Sequence, residues 1–181
     1  MTRVRKGARG RAGGVAGELR QTRPFAHPDR EMAVTLMRTS DVLHHAVECA
    51  LRPFGVSPEQ YNVMRILQGS GPEGLPTLEI ADRMIARAPN VTRLIDKMIE
   101  KGLAHRERCG IDRRVVRIYP TPEASKHLLE MNAAVDALLD SRLGGINAGD
   151  LKRLTAALDD VRARLAVPTA RETVGGSRRK P

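Results

Sequence analysis

Between residues 83 and 117 the chain concentrates side chains suited to gripping a polyanion: ten Arg or Lys stand against four Asp or Glu, a local charge of +6. Inside this stretch Val91, Leu94, Ile95, Met98 and Ile99 fall at i, i+3, i+4, i+7 and i+8. That spacing predicts a helix from Pro89 to Lys101, stopped by Gly102. Its opposite face carries Asn90, Thr92, Arg93, Asp96 and Lys97. The amide of Asn matches an adenine edge, Arg matches guanine, and Thr and Lys reach phosphates. Any solvated helix face has a similar composition, so the spacing alone does not single out nucleic acid. Two extended segments follow, Leu103 to Arg108 and Arg114 to Tyr119, around a turn at Cys109–Arg113 containing Gly110. This is the pattern of a β-hairpin. Its tip holds Asp112, Arg113 and Arg114. Adjacent arginines carried at a fixed height can enter a minor groove or clamp a phosphate, with Asp112 orienting a guanidinium. An ordinary surface ion pair is the plainer reading of the same residues.

Positioning these groups requires a scaffold, and the apolar periodicity supplies one. Leu36, Leu43, Val47 and Leu51 mark a first helix over Asp29–Leu51, closed before Pro53 and Gly55. Ser57, Pro58 and Gln60 are the cap, first and third positions of a second helix that buries Tyr61, Met64 and Leu67. A short third helix runs from a Thr77 cap to about Ile85 through Ile80, Ala81 and Met84. After the hairpin, Thr121 and Pro122 open a long fifth helix through Leu128, Leu129, Val135, Leu138 and Leu139, ended by Gly144 and Gly145. A sixth begins at the Asn147 cap. In it Leu151, Leu154, Leu158, Val161 and Leu165 repeat at alternating spacings of 3 and 4, as in a coiled-coil seam. Such a seam packs either against a second copy or within its own chain.

Composition narrows the class. Of 181 residues, 41% are hydrophobic but only 2% aromatic, a palette for packed helices rather than sheets. The net charge of +10 lies mostly at the ends: residues 1–28 contribute +6 and residues 167–181 contribute +3. Both ends are Arg- and Gly-rich, lack apolar periodicity, and read as disordered basic tails, either solubilising or loosely DNA-grasping. No run approaches the roughly 20 apolar residues of a membrane span and no secretory leader is visible, so the expected location is the cytoplasm, with no membrane partner. Two cysteines, Cys49 and Cys109, make neither a disulfide framework nor a zinc site. No nucleophile–base set, phosphate-binding glycine loop or metal-ligand cluster is present; the expectation is a protein that is not an enzyme and takes no cofactor or metal.

The stretch LPTLEIADRMIARAPNVTRLIDKMIEKGLAHRER, followed by DRRVVRIYPTPEA, resembles the helix-turn-helix and wing of the MarR family. The likeness is dense over residues 57–124 and extends by pattern over 29–166. It implies a mainly α fold with a small β-hairpin wing. The implied parts are a dimerisation helix at 29–56, a winged helix-turn-helix DNA-binding lobe at 57–120, and dimerisation helices at 121–166. By position, the helix starting near Pro89 becomes the recognition helix, with Asn90, Thr92, Arg93 and Lys97 toward DNA. Asp112 and Arg114 fit the family's Asp-x-Arg wing element, placing Arg114 in the minor groove and Arg113 on a phosphate, or the reverse. Leu151, Leu154, Leu158, Val161 and Leu165 become part of a homodimer interface. Function follows as an expectation: a sequence-specific, ligand-responsive repressor binding a pseudo-palindromic double-stranded operator. The alternative is an architectural, nucleoid-like DNA binder without an effector.

The resemblance also implies an effector crevice for an aromatic or phenolic molecule, near His44, His45 and Tyr61. Adjacent histidines on a helix diverge, so joint metal binding is disfavoured. Cys49 lies at the wrong end of its helix to match the reactive cysteine of the family's peroxide-sensing branch, and its neighbours Val47, Ala50 and Leu51 suggest a buried structural thiol. Three departures stand out. Ile85-Ala86-Arg87-Ala88 lacks the glycine common in the family's turn and offers Ala88 as a poor cap. Pro120 replaces a usual Leu, which predicts an early end to the second wing strand. The basic N-terminus is longer than usual.

Overall fold

The computed structural model describes residues 14–86, 90–108 and 116–166. Contacts divide the chain into two units, residues 1–138 and 139–181. The first opens with α1 (Val15–Glu18) and α2 (Pro28–Leu51), then a 3-10 turn at Arg52–Phe54. Next come α3 (Pro58–Gly69), β1 (Leu75–Pro76), α4 (Thr77–Arg83), α5 (Val91–Glu100), β2 (Ala104–Arg108), β3 (Val116–Pro120) and most of α6 (Pro122–Leu143). The result is mainly helical with one small antiparallel sheet, as the sequence predicts.

Local chemistry fixes the helix starts. At α3 the capping box forms as spaced: the Gln60 amide donates to Ser57 Oγ at 3.3 Å, and Gln60 Oε1 accepts from the Ser57 amide at 3.2 Å. Thr121 caps α6, accepting from the Ala124 amide at 3.1 Å while its hydroxyl donates to the Gly102 carbonyl at 2.7 Å. The poor cap foreseen at Ala88 does not arise, because Asn90 takes that role and α5 starts at Val91, two residues later than expected. Thr77 is likewise not a cap: Pro76 precedes the helix without a side-chain bond, and Thr77 is its first residue.

The core lies where the amphipathic faces meet. Val63, Met64 and Leu67 of α3, Ile80 of α4, Ile95 and Met98 of α5, Ile118 of β3 and Met131 of α6 are buried together with Leu51 at the end of α2. Packing of this kind stabilises by roughly 1.5–3 kcal/mol per large side chain removed from water.

The sheet has three strands, ordered β1-β3-β2, one more than the hairpin alone. β1 pairs Leu75 with Ile118 and Pro76 with Arg117. β2 pairs with β3 from Ala104↔Pro120 to Arg108↔Val116. The second wing strand thus continues through Pro120 instead of ending early. The Thr121 amide donates to the Leu103 carbonyl at 3.3 Å, so by alternation the position of residue 120's missing N–H faces away from β2. β1 does not extend that far, and proline forfeits no ladder bond there.

Gly74 enters β1 with φ +59°, and a Cβ at this position would stand 2.7 Å from Tyr119 Cε1 and 2.8 Å from the Ile118 carbonyl oxygen. Gly74→Ala is expected to lower stability by roughly 1–3 kcal/mol, from the left-handed backbone and the clash together. Urea unfolding of parent and variant measures this; equal midpoints would contradict it.

Two terminal expectations need correction. The composition of residues 1–28 predicts a disordered tail, yet within it Val15–Glu18 is helical. Val15 is buried, and Glu18 Oε2 accepts from Arg38 Nε of α2 at 3.3 Å. One apolar anchor and one ion pair suffice locally, although the composition averaged over 28 residues is that of a coil. The first long helix begins at Pro28, not Asp29. In the second unit, α7 (Ala148–Ala166) starts from Asn147, whose Oδ1 accepts the Asp150 amide at 2.9 Å. No residue of α7 is buried.

Candidate nucleic-acid interface and the adjoining cavity

α5 is held from below and presented outward. Val91, Ile95 and Met98 are buried, while Thr92, Arg93 and Lys97 are exposed on the opposite face. Asn90 is also exposed, but its Oδ1 accepts from the Arg93 amide at 3.0 Å, leaving its Nδ2 as the group free of the cap. Asp96, on the same face, accepts from Arg106 Nη2 of β2 at 2.6 Å. This ion pair ties the helix to the wing strand and neutralises the acid that stands between Arg93 and Lys97. At its C-terminal end, Lys101 Nζ donates to the Gly55 carbonyl at 2.7 Å and to Gln60 Oε1 at 3.2 Å, fixing the helix to the start of α3. α5 is therefore tethered at its middle and at its C-terminal end, which preorganises its exposed face. Pro89 and the wing-tip residues Asp112, Arg113 and Arg114 lie outside the described residues, as does Cys109.

Behind α5's approach lies a cavity of about 560 Å³, walled by α2, α3, the Met84–Ala86 segment and Val135 of α6. Its lining is mostly apolar, with Leu43, Val47, Ile66 and Met84 among its walls. Polar groups sit at defined points. His44 lines it with Nε2 3.6 Å from Glu59 Oε1. Tyr61 lines it too, its hydroxyl donating to Asn132 Oδ1 at 2.7 Å and its ring 5.9 Å beneath the Arg65 guanidinium. His45 does not line it: one residue along the helix turns the ring away, to Glu48 at 3.2 Å. Glu59, Asn62 and Arg65 are lining residues the sequence did not single out. Nothing in their spacing marks them, since only the approach of α2 to α3 makes them neighbours.

Cys49 is exposed, contrary to the expectation of a buried thiol. It lies off the Leu43–Val47–Leu51 stripe, with Sγ 3.7 Å from His45 Nε2 and 3.6 Å from Arg52 Nη2. Among the described residues no three His, Cys, Asp or Glu converge as a metal site. Among them, too, no helix is long and apolar enough to cross a membrane.

The MarR-family profile matches residues 56–116, the span from the start of α3 into the second wing strand. A MarR transcription factor from Planctomyces limnophilus is 34% identical over 75% of this chain and 98% of its own, with a TM-score of 0.57. The chain belongs to the MarR family. Among solved MarR-type structures, CouR from Rhodococcus jostii RHA1, bound to p-coumaroyl-CoA, is 26% identical, covering 80% of this chain and 98% of its own at a TM-score of 0.65. MepR of S. aureus, in a DNA complex, is 18% identical with a TM-score of 0.67, covering 73% of this chain and 96% of its own, and shares the fold. In MarR terms α4 and α5 correspond to the helix-turn-helix and β2 and β3 to the wing. The protein is thus a winged-helix transcription regulator of this family.

Proposed function

We propose that this chain is a homodimeric, ligand-responsive repressor that reads a pseudo-palindromic operator. One observation carries the reading: a helix tied to the wing strand at Asp96 and to the start of α3 at Lys101 presents Asn90, Thr92, Arg93 and Lys97 in an exposed row, and the sequence between the two wing strands includes Arg113 and Arg114. α5 enters the major groove, Arg93 and Asn90 Nδ2 addressing base edges and Thr92 and Lys97 the backbone. Arg114 enters the flanking minor groove and Arg113 takes a phosphate, with Asp112 orienting the pair.

Residues 29–56 and 121–166 supply the dimer. α2 leaves Met32, Met37 and Val42 exposed, and α7 separately leaves Leu154 and Leu158 exposed with Leu151, Val161 and Leu165 on the same stripe. The apolar stripe of α7 calls for a partner, and the exposed apolar side chains of α2 add surface for one. The effector is a small aromatic or phenolic molecule held in the cavity by His44, Tyr61 and Arg65. Its apolar walls suit a flat ring, and CouR's complex with p-coumaroyl-CoA supports the class. Regulation of this sort is carried out in the cytoplasm.

The test is a titration of operator DNA, first selected from a random pool by the parent protein. Single base changes at contacted positions should each cost roughly 1–3 kcal/mol. Arg114→Ala should weaken binding and reduce the salt slope by about 1. An unchanged affinity and slope would remove Arg114 from the interface. A response indifferent to base changes would make the protein an architectural binder.

A further inference from the structure

α4 stops abruptly. Met84 leaves the helical region with φ −66° and ψ 140°, and its amide still reaches the Ala81 carbonyl at 3.4 Å. The Ile85 amide is carried off the helix and donates instead to Asn62 Oδ1 of α3 at 2.9 Å. The Ile85 side chain is 90% exposed, so packing does not hold this residue in place. Among the described residues, this bond to Asn62 is the hydrogen bond that ties Met84–Ala86 to another element. Asn62 is half-buried and lines the cavity, as do Met84, Ile85 and Ala86 themselves. The same side chain therefore faces the cavity and holds the segment that leads, six residues after Ile85, into α5 at Val91.

We infer that Asn62 is the positioning residue through which occupancy of the cavity reaches the recognition helix. This rests on the DNA-reading function proposed above and gives it a mechanism. A guest that occupies the space between α2 and α3 has two routes to the same effect. It can take the Asn62 amide for its own hydrogen bond, or it can press Met84–Ala86 outward. Either releases the Ile85 amide to water and unfixes the entry to α5. The guest's leverage equals the difference in its affinity for the tied and released turns. A single hydrogen bond suits such a switch, because its net contribution is small enough for a ligand to overcome.

Asn62→Leu keeps the side chain's bulk and removes the acceptor; Asn62→Asp keeps an oxygen where Oδ1 stands. In N62L, hydrogen exchange at Ile85 should quicken roughly tenfold while the amides of Ile95 and Met98 keep their protection, and affinity for the selected DNA should fall roughly tenfold. N62D should restore both toward the parent. A cavity-filling Val47→Trp mimics the guest, with Ser40→Phe as the second choice if V47W melts early. The filled variant should weaken DNA binding in the parent background but add little in N62L, the non-additivity of two changes acting through one bond. Parent-like exchange at Ile85 in N62L, or losses that simply add, would overturn the role of Asn62 and leave the DNA reading standing. A parent protein that selects no sequence would instead sink the DNA reading, and the exchange measurement would still decide whether Asn62 holds the turn.

Discussion

The double variant Leu154→Glu, Leu158→Glu sediments as a monomer, and its affinity for the selected operator falls by roughly a thousandfold or more. α7 buries none of its residues within the chain, and Leu154 and Leu158 are 54% and 36% exposed on a stripe that also holds Leu151, Val161 and Leu165. Two glutamates placed at the centre of such a seam would be desolvated without partners in a dimer, a cost of several kcal/mol. The loss in DNA binding follows from geometry. Two recognition helices fixed about 34–36 Å apart read two half-sites as one event, whereas a monomer keeps a single half-site and loses the effective concentration of the second. The helix itself remains folded, since both positions face solvent in the single chain. Sedimentation that showed an intact dimer would take α7 out of the interface.

Ile95→Ala is the second large effect. Ile95 is fully buried beneath the exposed row of α5, a helix that packs against α3, α4 and β2. Truncating it removes apolar contact and leaves a cavity, costing about 2–5 kcal/mol of folding stability. For a chain of this size that corresponds to a fall in melting temperature of very roughly 5–15 °C. Calorimetry measures it. A shift of a degree or less would mean that α5 is not seated on this core. The variant should also bind DNA more weakly at temperatures where it is folded, because the side chain that fixes the helix's height is gone.

What the sequence revealed was local. The Ser57–Gln60 capping box, the i, i+3, i+4 stripe of α5, the Thr121 and Asn147 caps and the strands of the wing depend on residues a turn or less apart, or on a period running along one element. Features made by approach were hidden. β1 is two residues long and exists because Leu75 meets Ile118 across 43 positions of chain. The bonds from Lys101 to Gly55 and from Ile85 to Asn62 join segments far apart in the sequence, and no periodicity foretells them.

Cys49 shows the complementary failure. Its sequence neighbours are apolar, but the helix turns it toward His45 and Arg52, one turn to either side, and away from the buried Leu51. His44 and His45 divide in the same way, one lining the cavity and one not. Asn90 was legible as an exposed polar residue but not as the cap of α5, because the proline before it suggested an earlier start.

The measurement that bears most directly on the central claim is selection of duplex DNA from a random pool by the full-length protein, followed by sequencing of the bound fraction. A repressor reading through α5 and the wing enriches an inverted repeat whose half-sites are centred about 10 base pairs apart, flanked by A·T-rich positions where Arg114 enters the minor groove. A bound fraction with the composition of the starting pool would contradict sequence-specific reading and leave only charge-driven attachment to DNA.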